Sequence, residues 1–213
     1  ALLQALREGE SVAYASDAGS PLVADPGFVL GREAIAAGAK VFSVPGPSAV
    51  VAALSVSGLP SDRFTFAGFP PQAQGAKTRF LKDLKSMPGT LILYESPNRI
   101  TDTLSLAAEI LGADRPAVLA RELTKKFEEV RRGTLAQVHG TCLADKPRGE
   151  IVLLIGEGQT EHSQDDIDTA LRAAMSEARL KDASQQVAEQ FGLSRRDLYQ
   201  RGLELQKQGL DES

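Results

Sequence analysis

The stretch from Ser16 to Gly27, SDAGSPLVADPG, limits this chain more than any other. It follows a short apolar run, Val12 to Ala15 (VAYA), that reads as a buried strand. It leads into FVLGREAIAAG, whose apolar residues recur at helical spacing, with Asp25 and Pro26 suited to the N-cap and first turn and Gly38 to a stop. The stretch is therefore expected to be a strand-to-helix loop. Such connections usually run to about two to six residues, and a longer one is commonly kept for binding. Gly19 lets the backbone pass close to a ligand, and Pro21 and Pro26 hold the loop in one shape, so main-chain amides can meet a small molecule directly. Neither G-x-G-x-x-G nor G-x-x-x-x-G-K-[ST] occurs, which argues against a common dinucleotide or P-loop site.

The same design repeats. Residues 40–44 (KVFSV) read as a second strand, running into PGPSA at Pro45 to Ala49, where Ser48 can cap the helix AVVAALSVSG. Two such units in a row predict a parallel sheet with both loops beyond the carboxyl ends of its strands, where open α/β sheets bind ligands. A domain boundary is placed near residue 62, after Gly58-Leu59-Pro60. Beyond it a helix spans Gly75 to Lys85, strands fall at Thr90 to Tyr94, Ala117 to Ala120 and Ile151 to Ile155, and an amphipathic helix spans Ile100 to Leu111. The charged segment RELTKKFEEVRRG between the later strands is read as a returning helix or an edge strand. The tail is helical: Asp166 to Arg179, then helix, turn and helix from Asp182 to Lys207, with Ala188, Gly192 and Leu198 at helix-turn-helix spacing. The expected division is thus 1–62, 63–158 and 163–213.

Composition excludes several classes. The 213 residues are 42% hydrophobic, enough for a real core, and 24 basic against 28 acidic side chains give a net charge of −4, so no global field draws the chain to nucleic acid. One cysteine, Cys142, excludes an internal disulfide, and with only His139 and His162 beside it no metal site is expected. No apolar run approaches the roughly 20 residues of a bilayer span, and the start ALLQALREGE has no signal-peptide pattern, so a cytosolic setting without membrane contact is expected.

SDAGSPLVADPG, VPGPSA, GLPSDRF with GFPP, YESPNR and ARELTKKFEE occur in an order and spacing that resembles the tetrapyrrole methylase superfamily of S-adenosylmethionine-dependent methyltransferases. Within it, the match is nearest to the bacterial group that methylates a cytidine ribose 2′-oxygen in 16S ribosomal RNA. The resemblance covers residues 1 to about 158 closely and the tail more loosely. It implies two α/β domains with the methyl donor in the cleft between them, a small helical C-terminal domain, a homodimer, and the small ribosomal subunit as partner. It also implies a donor site bordered by Asp17, Ala18, Gly19, Ser20 and Pro21, by Pro45, Gly46, Pro47, Ser48 and Ala49, and by Tyr94, Glu95 and Ser96. Relatives begin with a strand, a Gly-Asn loop and a motif like AEDTR, absent from these residues. The expectation is that the first strands of the N-terminal domain and one wall of the donor site are missing, leaving the chain as written inactive.

Methyl transfer to a ribose hydroxyl needs in-line positioning and removal of a proton. Positioning can supply about 7 to 11 kcal/mol in favourable cases. Candidate bases are Glu95, Glu122 and Lys125, with Asp17 read as fixing its loop. The competing reading of Glu95 and Glu122 is a salt bridge to Arg99 or Arg121. For RNA, Lys77, Arg79, Lys82 and Lys85 are expected on one helix face, Arg121, Lys125, Lys126, Arg131 and Arg132 form a second cluster, and Arg195 and Arg196 open the last helix. Solvated surface is the competing reading of the first stripe, and a hairpin that only packs is that of the tail. Two other functions stay open: a methylase of a small tetrapyrrole precursor, and a non-catalytic RNA-binding module.

Overall fold

In a computed structural model of the chain, the helices expected after the two Gly-Pro loops form, and the strands expected before them do not. The structure describes residues 1–16, 19–23, 27–158, 164–191 and 193–211, with side chains as far as residue 206. The N-terminal helices are α1 (Leu2–Arg7), α2 (Phe28–Ala36) and α3 (Ala49–Ser57). Residues 12–15 and 40–44 carry no strand assignment. Their side chains suit a sheet, but no neighbouring strand among the described residues closes their backbone ladder, and an unpaired strand has nothing to hold it. Phe42 and Val44 stand 83% and 85% exposed as a result. The parallel sheet expected from the two repeated units is therefore corrected. Gly38 does follow the end of α2, its N–H donating to the carbonyl of Ile35 at 3.0 Å. Asp25 and Pro26 lie outside the described residues. Ser48 occupies the N-cap position of α3 but makes no side-chain cap bond.

The sheet lies further along the chain. Its elements are β1 (Phe64–Gly68), α4 (Gln74–Leu84), β2 (Thr90–Glu95), α5 (Ile100–Leu111), β3 (Pro116–Arg121), β4 (Glu129–Thr134), α6 (Leu135–Ala144) and β5 (Ile151–Ile155). The strand order is β1-β2-β5-β3-β4. Of these strands only β1 and β2 pair in parallel; β5 runs antiparallel between β2 and β3, and β4 is an antiparallel edge. That decides the charged segment: its second half is the edge strand, where solvated arginines and glutamates are tolerated.

Side chains alternate across the sheet. Leu91, Leu93, Leu119, Leu153 and Ile155 face a core closed by Leu81 and Leu84 of α4, Ile100 and Leu104 of α5, and Leu135 and Val138 of α6. Ile92, Val118, Ala120, Val152 and Leu154 face the opposite way, onto Val50, Ala53 and Leu54 of α3. Burial of one such leucine or isoleucine contributes about 1.5–3 kcal/mol. Helix α6 is missing from the sequence reading. Its signal is Thr134-x-x-Gln137, a capping box in which the Thr134 hydroxyl accepts from Gln137 N and the Gln137 side chain accepts from Thr134 N.

The chain divides into two compact units, Ala1–Gly158 and Gln159–Ser213. The second holds α7 (Gln164–Glu177), α8 (Leu180–Phe191) and α9 (Arg195–Asp211). Ile167, Leu171, Ala183, Val187, Leu198 and Leu205 make its own core. Between α8 and α9 the Leu193 N–H reaches back to Ala188 O, while Ser194 accepts from Asp197 N and opens α9. This is the short turn expected of a helix-turn-helix, and Gly192 within it lies outside the described residues.

Candidate functional site

Two Gly-Pro loops approach each other at one end of the first unit. Ser20 Oγ donates to the carbonyl of Pro47 at 3.4 Å, and a Cβ on Gly46 would sit 3.7 Å from Ser20 Oγ. The first loop turns back at Gly27, with φ of 111°, under the ring of Tyr14; an added Cβ there would lie 2.8 Å from Tyr14 Cζ, so only glycine fits. Leu22 is held at φ of 69°, a conformation that costs a bulky residue energy and marks a constrained segment. Of the first expected set, Gly19 and Ser20 therefore stand against the Pro45–Ala49 loop and Pro21 follows them in the chain, while Asp17 and Ala18 lie outside the described residues.

Tyr94 brings the end of β2 to the same place. Its phenol oxygen is hydrogen-bonded by the Val50 backbone in the first turn of α3, directly after the PGPSA loop. Its ring meets Phe66 and Phe69 edge-on, at 4.8 and 5.4 Å between centroids. Burial pushes the phenol above its ordinary range, partly offset by the Val50 bond and reinforced by the charge of Glu150, so the group stays neutral. With no side-chain cap at Ser48, the first-turn amides of α3 other than that of Val50, and the helix's positive dipole end, remain for an anionic group, and the carboxylate of S-adenosylmethionine is such a group. The residues present thus fit the donor.

Glu95 follows and is fully enclosed. Its Oε1 accepts from Ser96 N at 2.9 Å, its Oε2 accepts from Thr103 Oγ1 at 2.7 Å, and Arg99 Nη2 lies 3.4 Å from Oε2. Thr103 in turn accepts from Lys77 Nζ at 3.1 Å. Arg99 also donates to the carbonyls of Pro70 and Pro71. The ion-pair reading of Glu95 holds, and the carboxylate fixes the turn Ser96-Pro97-Asn98 that leaves β2. Sequence reasoning missed Thr103, which reaches Glu95 from α5, and the role of Lys77, which bonds Thr103 from α4.

Lys77 consequently leaves the expected basic stripe. It is 6% exposed, on the same buried side of α4 as Leu81 and Leu84, whereas Arg79, Lys82 and Lys85 are exposed. At 100° per residue these four positions do not share a face, which corrects the expected alignment.

The segment after β3 gathers the other candidates. Glu122 accepts from Lys125 Nζ at 3.0 Å and from Glu150 N at 2.9 Å, and these hold its carboxyl below the ordinary range. Lys125 also donates to Glu150 at 3.0 Å; its two carboxylate partners keep it protonated above the usual lysine range. A depressed carboxylate is a weak base, and a lysine held protonated must first lose that proton. Arg121 pairs with Glu129 instead of Glu122, at 2.5 Å. Arg131 binds Glu129 and Asp145, and Arg132 donates to the carbonyls of Val56 and Ser57 at the end of α3. Much of the second basic cluster is thus committed to internal partners. Lys126, over the ring of Phe127 at 5.6 Å, has no carboxylate partner among the described residues. In the second unit Arg195 and Arg196 are exposed at the first turn of α9.

Residues 1–139 match the family described as tetrapyrrole (corrin/porphyrin) methylases, and residues 161–206 match the RsmI C-terminal HTH domain. A ribosomal RNA small subunit methyltransferase I of Mesorhizobium japonicum is 47% identical over 96% of this chain and 70% of its own length. One of Pseudomonas aeruginosa is 44% identical over 94% of this chain and 73% of its own. Among solved structures, uroporphyrin-III C-methyl transferase from Thermus thermophilus complexed with S-adenyl homocysteine aligns with a TM-score of 0.51, at 20% identity, over 73% of this chain and 70% of that one, a likeness of fold. With its Gly-Pro loops, its mixed sheet and its helix-turn-helix tail, the chain belongs to the tetrapyrrole methylase family.

Proposed function

We propose that this chain is a S-adenosylmethionine-dependent methyltransferase of ribosomal RNA that modifies the ribose 2′-hydroxyl of a cytidine in 16S RNA of the small subunit. One observation carries the reading: 47% and 44% identity, over nearly the whole chain, to relatives named for methylating small-subunit ribosomal RNA. The helix-turn-helix unit supports it, since a small tetrapyrrole substrate gives no use to Arg195 and Arg196. Two cations at the positive end of a helix dipole are unfavourable unless an anion meets them.

The donor supplies an activated methyl group. In this reading Gly19, Ser20 and Pro21, the Pro45–Ala49 loop and Tyr94 to Ser96 hold it, with Asp17 and Ala18 completing the first loop. Tyr94 stays a neutral hydrogen-bonding phenol, and Glu95 keeps the 96–98 turn in place through Thr103. Rate then comes mainly from positioning: of the three expected bases Glu95 is enclosed, Glu122 is a weak base and Lys125 is held protonated, so none is given the hydroxyl proton. Arg79, Arg121, Lys125, Arg195 and Arg196 face the RNA in this reading, and Lys77 contributes through Thr103. A two-domain division near residue 62, a homodimer and a cytoplasmic setting complete the proposal.

The test is transfer of labelled methyl from S-adenosylmethionine to small ribosomal subunits isolated from a strain lacking the activity, with the modified nucleoside identified by mass spectrometry. 2′-O-methylcytidine in 16S RNA supports the proposal. Label in a base, in another RNA, or only in a tetrapyrrole sinks it.

A further inference from the structure

A cavity of about 350 Å³ opens beside the segment that follows β3, lined by Arg121, Glu122, Phe127, Asp145, Lys146, Arg148 and Gly149. Its volume is in the range that takes a small ligand. The wall is unusually fixed for a loop. Glu122 and Thr124 both adopt left-handed backbone conformations, at φ of 49° and 64°, which side-chain-bearing residues hold only when their surroundings impose them. Here Lys125 and the Glu150 amide clamp Glu122, and Glu128 accepts from Thr124 N at 2.6 Å. Gly149, at φ of 81°, lies so close beneath the Glu122 carboxylate that an added Cβ would fall 2.3 Å from Oε1. The product of all this restraint is Phe127, left 63% exposed.

Three cations of this region, Lys126, Lys146 and Arg148, have no carboxylate partner among the described residues. Glu122 and Glu150 share Lys125, Asp145 and Glu129 share Arg131, Glu129 also takes Arg121, and Glu128 beside Phe127 accepts from Thr124 N. Among the described residues Arg148 has no carboxylate partner, and Lys146 donates to Asn98 Oδ1, at 3.2 Å, in the turn that Glu95 fixes. Lys126 sits over the Phe127 ring. A planar apolar face, pre-set in position and flanked by cations that no neighbouring carboxylate neutralises, is the arrangement that takes a stacked base with its phosphate.

We infer that this cavity is a single-stranded RNA subsite, in which one nucleobase stacks on Phe127 and its phosphate meets Arg148 and Lys146. The inference rests on the ribosomal RNA reading and deepens it with a nucleotide contact at the segment that follows β3. Binding of a short fluorescein-labelled single-stranded RNA of mixed sequence to the 213-residue chain, followed by anisotropy across a salt series, tests it. Phe127→Ala weakens binding by between about five- and 150-fold, the range for losing one base–aromatic stack, and Phe127→Trp restores it. Lys146→Gln with Arg148→Gln lowers the slope of log affinity against log salt by about 0.7 for each phosphate left without its cation. Equal affinity for Phe127→Ala and the parent, or a loss that Trp does not restore while both variants melt like the parent, overturns the subsite and leaves the ribosomal RNA reading standing. Absence of RNA binding by the parent chain overturns both.

Discussion

Residues 40–44, KVFSV, and residues 151–155, IVLLI, are both short runs dominated by side chains that favour sheets, yet the two have opposite fates. The second forms β5, paired on both sides, with every residue buried. The first forms no strand and leaves Phe42 in solvent. A strand is thus a property of a pair. Side-chain composition makes a segment suited to a ladder, and only a neighbour with free N–H and C=O groups makes it one. The loops that follow 12–15 and 40–44 are consequently held by each other, through Ser20 and Pro47, and by Tyr94 from the sheet.

The contrast can be broken by mutation. Leu153, fully buried at the centre of the sheet, is the most sensitive point: Leu153→Ala lowers unfolding free energy by about 2–5 kcal/mol in urea titrations followed by circular dichroism. A loss under about 1 kcal/mol would mean that β5 is not the centre of the core. Next is the buried polar bridge. Thr103→Val removes the hydroxyl that joins Lys77 to Glu95 and costs about 1–3 kcal/mol, and Thr103→Ser, which keeps the hydroxyl, recovers most of it. A loss for Ser with none for Val would show that only the methyl matters.

The helical unit gives a smaller, pH-dependent effect. Arg201 donates to Asp168 and holds its carboxyl below the ordinary range, with help from Gln164. A depressed carboxyl adds stability that is fully present above its unfolded pKa of about 3.9 and is lost as pH falls through the lower folded value. Melts of the parent and Asp168→Asn should therefore converge as pH drops from about 5 to 2, with the parent higher at neutral pH. A constant gap across that range would contradict the ion pair. Smallest of all, Phe42→Ser shifts stability by no more than about 0.5 kcal/mol. A large loss there would mean that residues 40–44 are paired after all.

The sequence was most readable where apolar residues repeat at a fixed period and least readable where contacts join distant elements. β2, β5, α5 and the α8–turn–α9 pattern follow from periodicity and from breakers such as Gly112 and Gly58-Leu59-Pro60. β4 was ambiguous because an edge strand can carry Glu129, Arg131 and Arg132 without losing its ladder. Helix α6 hid behind its polar residues Gln137, His139 and Thr141, although Thr134-x-x-Gln137 announced its start. The Gly-Pro loops of the site were plain, since glycine and proline act locally. The partners of Glu95 were not, because Thr103 meets it, with Lys77 bonded behind, only after α4 and α5 have packed on the same face of the sheet. Lys77 looked like a surface cation for the same reason: a three-residue rhythm of charge does not say which turn of a helix faces inward.

The placement of β5 also sets an order of assembly. It is the last strand of the sheet to be synthesised and the one on which both halves depend, since β2 and β3 have no ladder with each other. Until residues 151–155 leave the ribosome, the nascent chain holds two separate two-stranded ribbons, β1–β2 and β3–β4, each too small to persist alone. Closure of the sheet is then a late, long-range event, slow by its topology and open to chaperones while it waits. A nascent chain stalled with residue 150 as the last one outside the exit tunnel should show no amide protection in β2 or β3, and one stalled just beyond β5 should show both protected together.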